Sequence, residues 1–347
     1  MGKVIAVVNN KGGVAKTTTT EHLGIGLAKA GYNVLLIDAD PQNSLAKALG
    51  VNSVRKTEDG AECSLGSVMD GCIMQNQRVT ASECIIKNEE GISLLPAGED
   101  LANIELKLSF AMMRESIFKN CIAEIREKYD YILIDGSPSL NMMMVNILNA
   151  ADTVLIPYNA EFLAKTGIIQ LITVIANVKQ QMNPKLAFEG ILVTMFNSST
   201  NNAKKIVSEV LASLEGLEFI KPFHVMIPRS VKAPESSEEG VSLYRYAPTN
   251  AVAEAYVRLT VELIGNDNPN LGKEILDGIY RRIMDEIRKT KYEPKRKSRT
   301  ILLSEEELEG CFPDEYSAGR IKTEILSILR KRAEMNTASD AKEKRAM

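Results

Sequence analysis

Residues 9–20 read NNKGGVAKTTTT and lie between two segments of opposite character. Before them, Lys3–Val8 is a short run rich in β-branched residues, the pattern of a strand. After them, Thr17–Ala30 carries the spacing of a helix that Gly31 would stop. A glycine-rich turn in that setting predicts a phosphate loop. Small residues let backbone N–H groups approach anionic oxygens, and the start of the helix adds its dipole and its free donors. Lys11, Gly12, Gly13, Val14, Ala15, Lys16, Thr17 and Thr18 are the candidate nucleotide contacts. Lys16 would reach the β- and γ-phosphates, and the Thr17 hydroxyl would ligate Mg²⁺. Against the general pattern GxxxxGK[ST], Asn10 and Ala15 occupy the two glycine positions. A structural glycine turn before a helix is therefore the alternative reading of this segment alone.

The flanking chain supplies what such a loop needs. Val34–Asp38, Ile92–Pro96, Tyr131–Asp135, Thr153–Pro157 and Ile191–Phe196 are continuous apolar runs, as expected of strands buried on both faces. Helical stretches at Arg114–Lys128, Ala164–Val178 and Ala251–Ile264 alternate with them. The alternation predicts an α/β fold: a mostly parallel sheet with helices on both faces, of the P-loop NTPase type. Ligands in such sheets bind at the carboxyl ends of strands. VLLIDADPQ (34–42) and YDYILIDGSPSL (129–140) end strands in Asp38, Asp40 and Asp135. Carboxylates there suit a hard cation and an attacking water.

Composition bounds the rest. The chain has 347 residues, 45% of them hydrophobic, and a formal net charge of -3. It has length for a large core, and as a whole it does not read as a nucleic-acid binder, although local basic patches are compatible with that charge. Five cysteines, at 63, 72, 84, 121 and 311, show no CxxC spacing and read as reduced thiols. His22 and His224 are far apart, so a zinc site is not expected. The N-terminus has no secretory pattern and no run is long enough to span a bilayer, which points to the cytoplasm. Asn266–Asn270 reads as a linker, so the predicted boundary separates a domain at 1–265 from a C-terminal extension at 266–347. That extension holds the basic stretch RKTKYEPKRKSR (288–299), a capping box at Ser304 and Glu307, a basic amphipathic stretch at Arg320–Arg332, and a tail whose composition predicts disorder.

Over about residues 1–265 the sequence resembles the ParA/Soj family of partition ATPases, within the larger group that also holds MinD. The segments carrying the resemblance are KGGVAKTTT, LLIDADPQNS, LLPAGEDLA, YDYILIDGSPSL, IPYNAEFLAKTGI, LVTMFNSST and IPRSVK. The resemblance implies an ATPase with ATP and Mg²⁺ as cofactors, slow intrinsic turnover and a homodimeric ATP state. Lys11 matches a signature lysine that reaches the partner's nucleotide, and Lys16 and Thr17 match the phosphate and Mg²⁺ residues. Asp40 matches the acid that orients the attacking water and, with Thr17 and Asp135, completes the implied metal set. Lys11, Lys16 and Asp40 are thus the implied catalytic residues. Asp38 is given a supporting role in the switch region. Pro228 and Arg229 match a loop near the adenine.

The chain also departs from the family. Ala15 replaces a more usual glycine, and Gly136 and Ser137 stand where relatives often carry a bulkier residue and proline. Ser199 falls where many relatives have an arginine used for DNA binding. Lys232 matches a second basic DNA-contact position, with Lys204 and Lys205 nearby.

Three functions follow as expectations. The first is DNA segregation: an ATP-bound dimer that holds non-specific DNA through phosphate contacts and is released by a ParB-type centromere-binding partner. The second is a MinD-like positioning ATPase on a membrane, resting on Arg320–Arg332; that stretch is not at the very C-terminus, and a membrane partner is not expected. The third, a nitrogenase-like reductase, needs cysteines at strand ends facing a cluster, and none fall there.

Overall fold

The computed structural model describes residues 2–57, 60, 62–76, 78–159, 165–197, 221–290 and 292. Its strands are β1 (Lys3–Val7), β2 (Val34–Ala39), β3 (Ile86–Lys87), β4 (Ser93–Leu95), β5 (Tyr131–Gly136), β6 (Thr153–Asn159) and β7 (Ala187–Thr194). They form one sheet in the order β3-β4-β2-β5-β1-β6-β7. Every pairing is parallel except that of the two-residue β3 with β4. Every residue of β2 and β5 is buried, which is why these strands read as unbroken apolar runs.

Alternate side chains feed two cores. Val4, Ala6 and Val8 face the first, which is covered by α3 (Leu65–Met74), α4 (Ala81–Cys84), α5 (Leu101–Leu108), α6 (Ile117–Ile122), α7 (Met142–Ala150) and α8 (Lys165–Gln181). Ile5 and Val7 face the second, covered by α1 (Lys16–Lys29), α2 (Ser44–Ala48), α10 (Leu243–Tyr246), α11 (Ala251–Asp267) and α12 (Lys273–Lys289). A short α9 (Lys232–Glu238) precedes α10.

The central helix α1 lies unusually close to its neighbours. A Cβ on Gly24 would stand 2.4 Å from a Leu36 methyl on β2, and one on Gly26 would stand 2.3 Å from the Thr260 hydroxyl on α11. A Cβ at either position would force its neighbour to shift, so these two glycines set how deeply the helix seats.

The structure corrects two expectations. The helix predicted over Arg114–Lys128 is broken into a 3₁₀ turn at 114–116, α6, and a second 3₁₀ turn at 126–128. The predicted boundary at 265 lies too early: the compact unit runs through Tyr292. Helix α11 continues to Asp267, and α12 buries Ile283, Met284 and Ile287 in the second core. Those three residues, with Ile279 and Tyr280, form a helical apolar stripe beyond the Asn- and Pro-containing turn. The capping box at Ser304, the stretch Arg320–Arg332 and the tail lie outside the described residues.

Behind the first turn of α1 sits a buried polar cluster that no sequence motif marks. His22 is fully buried, with Nδ1 2.8 Å from the Thr18 carbonyl and Nε2 2.8 Å from the Leu243 N–H. Nε2 must accept, so Nδ1 carries the proton and donates. Burial pushes the imidazole down to about 4, so it is neutral. The Glu21 carboxyl lies 3.4 Å from Nδ1, but that N–H is already committed to Thr18, and neither Glu21 oxygen has a hydrogen-bond partner. Burial, with repulsion from Glu90 and Asp135, pushes Glu21 well above the usual carboxylate range. Burial therefore favours its protonated form.

A raised folded-state pKa means that the unfolded chain releases this proton first as pH rises, so the contribution of Glu21 to stability declines above the ordinary value of 4.5. Glu21→Gln should match the parent near the acid end of that window. It should then gain on the parent by up to about 1.4 kcal/mol per pH unit in urea unfolding as pH rises. A difference independent of pH would mean that Glu21 is ionised in the fold.

Candidate phosphate-binding site

The loop between β1 and α1 is fixed from both ends and from the side. Asn9 donates from Nδ2 to the Pro157 carbonyl at the end of β6 (2.7 Å) and accepts the Lys11 N–H on Oδ1 (3.0 Å). Asn10 donates to the Gly167 carbonyl in α8 (3.1 Å). Thr194, fully buried at the end of β7, donates its hydroxyl to the Val14 carbonyl (3.1 Å). The loop thus hangs from three neighbouring elements, while Gly12 and Gly13 stay exposed with open space where a Cβ would be. Gly13 has φ +70° and Ala15 has φ +64°. Ala15 therefore holds the left-handed conformation that glycine adopts freely, at a cost of roughly 1–2 kcal/mol. The loop keeps its shape with alanine and carries that strain.

Helix α1 opens with the chemistry. Lys16 is 7% exposed, and its ammonium donates to the Lys11 carbonyl across the loop (2.8 Å). The Thr17 hydroxyl donates to Asp135 Oδ2 (2.7 Å), and Thr20 lies 3.5 Å from Asp135 Oδ1. Asp135 on β5 and Asp38 on β2 are register partners, so the two carboxylates stand side by side at the same sheet edge. Thr18 points its carbonyl at His22. The sequence-predicted Thr17 and Asp135 are therefore brought into contact, with the charges of Lys16 and Asp40 acting on the same carboxylate.

The electrostatics follow from that crowding. Burial pushes Asp135 well above its ordinary value and adjacent Asp38 adds to the shift, against the opposing Thr17 hydrogen bond and the Lys16 charge. Asp38 is pushed up to about 7 by burial, opposed by backbone N–H groups. Lys16 is lowered by burial, with Asp135 and Asp40 working the other way. A buried acid pair faces one ammonium and a hydroxyl. This oxygen-rich donor set fits a small divalent cation, which is typically held by one or two carboxylates and by phosphate oxygens. Among the described residues no group of three or more His, Cys, Asp or Glu side chains forms a protein-only metal cage.

Asp38 also fixes the segment that carries Asp40. Its Oδ1 accepts the Asp40 N–H (3.1 Å) and its Oδ2 the Ala46 N–H at the start of α2 (3.0 Å). Asp40 is half-buried and accepts the Gln42 N–H (2.9 Å), and its charge acts on both Lys16 and Asp135. Pro228 and Arg229 join the same end of the sheet: Phe196 just past β7 bridges Pro228, and the Arg229 N–H donates to the Phe196 carbonyl (3.2 Å). Lys232 begins α9, where its ammonium is 2.8 Å from Glu235. Lys204, Lys205 and Ser199 lie outside the described residues. The loop anchors Asn9, Asn10 and Thr194 and the clamp made by Asp38 are not legible as such in the sequence. Their one signal is placement at strand ends or inside the loop.

A family profile described as an AAA domain matches residues 2–188, more than half of the chain. The chain is 34% identical over 268 residues to the sporulation initiation inhibitor protein Soj of Bacillus subtilis, covering 77% of this chain and all of that protein. It is 32% identical to the chromosome partitioning protein ParA of Caulobacter vibrioides, covering 78% and 97%. The chain belongs to the ParA/Soj family. Among solved structures, cobyrinic acid a,c-diamide synthase from Mycobacterium smegmatis with bound ADP and magnesium superposes with a TM-score of 0.64 at 31% identity, over 78% of this chain and 97% of that one. The ParA/Soj-type core thus spans most of the compact unit, and the candidate site sits at its strand ends.

Proposed function

We propose that this ParA/Soj-type protein is an ATP- and Mg²⁺-dependent switch ATPase for DNA partition. The observation that carries the reading is the Lys16–Thr17–Asp135 constellation at the start of α1. In it a buried ammonium satisfies itself on the loop's own Lys11 carbonyl. The β- and γ-phosphates would take over that ammonium, with loop N–H groups and the helix dipole completing the cradle. Thr17, Asp135 and Asp40 are the residues to hold Mg²⁺, directly or through water. When bound, the ion supplies charge neutralisation at the phosphate oxygens. Asp40 orients the attacking water, held in place by the Asp38 clamp. Lys11, at the rim, reaches the partner's nucleotide in a homodimer, and Pro228 and Arg229 border the base.

The paired variants Lys16→Ala and Asp40→Ala separate these roles. Lys16→Ala should lose high-affinity ATP binding by calorimetry. Asp40→Ala should bind ATP normally and turn over at least about 10²-fold more slowly. Unchanged affinity in the first, or parental turnover in the second, overturns the corresponding assignment.

DNA is the proposed cargo surface, held without sequence preference, with release driven by a ParB-type partner and a nucleoid-associated place in the cytoplasm. Among the described residues no helix is long and apolar enough to cross a membrane. The support for DNA is positional. Lys232 lies 5.7 Å from the centre of the Tyr246 ring, and Tyr292 packs on the same ring at 5.5 Å between centroids. The foot of the basic stretch 288–299 therefore comes beside Lys232, on a chain that lacks an arginine at Ser199. Because α12 is part of the core, the informative truncation removes 293–347 and leaves it intact. That truncation should keep DNA-free ATPase activity. It should weaken ATP-dependent duplex binding and flatten the slope of log affinity against log salt by about 0.9 for each DNA phosphate that the arm had neutralised. Parental affinity and slope would exclude a DNA-binding arm.

A further inference from the structure

The fold gathers four of the cysteines into two pairs, and the pairs differ in environment. Cys63 and Cys84 are both buried in the first core. Burial and the neighbouring Cys63 push the Cys84 thiol up to about 12, which leaves it inert. Cys72 on α3 and Cys121 on α6 are built otherwise. Their sulfurs stand 3.1 Å apart, with Cys121 buried and Cys72 half-buried at the surface. The Cys121 S–H donates to Cys72. That bond favours the Cys72 thiolate and draws it down to about 7 against burial and the charge of Glu124, while the Cys121 proton is held more tightly. An accessible, nucleophilic sulfur backed by a second thiol in contact is the arrangement of a peroxidatic cysteine with its resolving partner.

We propose that Cys72 and Cys121 form a redox-responsive dithiol, in which Cys72 reacts with hydrogen peroxide and Cys121 resolves the product into a reversible disulfide joining α3 to α6. The chemistry balances in two steps. The Cys72 thiolate attacks the peroxide oxygen, so an S–O bond forms and the O–O bond breaks. Hydroxide leaves and takes up a proton. Cys72 is oxidised to the sulfenic acid and the peroxide is reduced. Cys121 sulfur then attacks Cys72 sulfur, forming the S–S bond and breaking the S–O bond, and its proton leaves with the departing hydroxide as water. Closing the bond requires the sulfurs to approach by about 1 Å. A small dithiol reverses it by exchange. Helix α6 is itself tied to α7 through the Phe118 N–H and Asn146 Oδ1 (3.0 Å), so the bond would pin α3 to that helix layer. The proposal stands apart from the ATPase reading, because none of these sulfurs lies in the phosphate loop.

Peptide mapping of the full-length protein after limited hydrogen peroxide tests it. A linked Cys72–Cys121 peptide should appear, lighter by two hydrogens and cleaved by dithiothreitol, while Cys63 and Cys84 remain thiols. Cys121→Ser should stop at a Cys72 sulfenic acid that dimedone captures, and Cys72→Ser should give neither product. Near neutral pH, iodoacetamide should alkylate native Cys72 at least about tenfold faster than Cys84. A native protein that forms no such peptide, or forms it only after denaturation, overturns the proposal, as does equal alkylation of Cys72 and Cys84.

Discussion

A buried ammonium facing buried carboxylates is the constraint on which the rest of this molecule depends. Lys16 and Asp135 are almost fully withdrawn from water, and each opposes the shift that burial imposes on the other. Charges are tolerated at such depth when they are paired and bonded. The surroundings supply that pairing. The Lys11 carbonyl takes the ammonium, Thr17 takes one carboxylate oxygen, and backbone N–H groups at 40 and 46 take both oxygens of Asp38. The sheet order makes this possible. Parallel strands β1, β2 and β5 are adjacent, so a loop from one and acids from the other two end at the same level.

The same constraint explains why the loop is so heavily tethered. An ammonium directed at a loop carbonyl holds that carbonyl only if the loop holds still, and Asn9, Asn10 and Thr194 fix it to β6, α8 and β7. The loop is thereby shaped before any phosphate arrives, which lowers the ordering cost of binding. The strain at Ala15 is the kind of local conformational cost that recurs at functional sites. Deeper in α1, burial favours the neutral forms of Glu21 and His22, close to a region already crowded with acids.

Much of this is legible in the sequence because the signals are local. The phosphate loop, the buried strands and the acids at their ends each announce themselves within about ten residues, and their order suffices to predict a parallel sheet. What is not legible depends on distance in the chain. Thr194 is an ordinary threonine until β7 brings it under Val14, 180 positions away. Cys72 and Cys121 have no spacing that suggests a pair; two helices of one layer bring them together. The boundary expected at 265 misses because Asn and Pro mark a turn, and a turn is not a domain end when the next helix still has an apolar stripe to bury. Over 114–128 the apolar spacing is helical, yet spacing alone does not show that the helix is interrupted at both ends.

The two margins of the sheet bear on how copies of this protein can meet. On one side the last strand, β3, is two residues long and runs against its neighbour. On the other, residues 221–229 lie along β7 and take up its outward backbone groups through bonds at Ile191, Val193 and Phe196. The bridging positions of that segment are Pro222 and Pro228, which have no N–H to offer a further strand. Among the described residues both margins are therefore poor templates for strand addition, and a second copy gains little by pairing there.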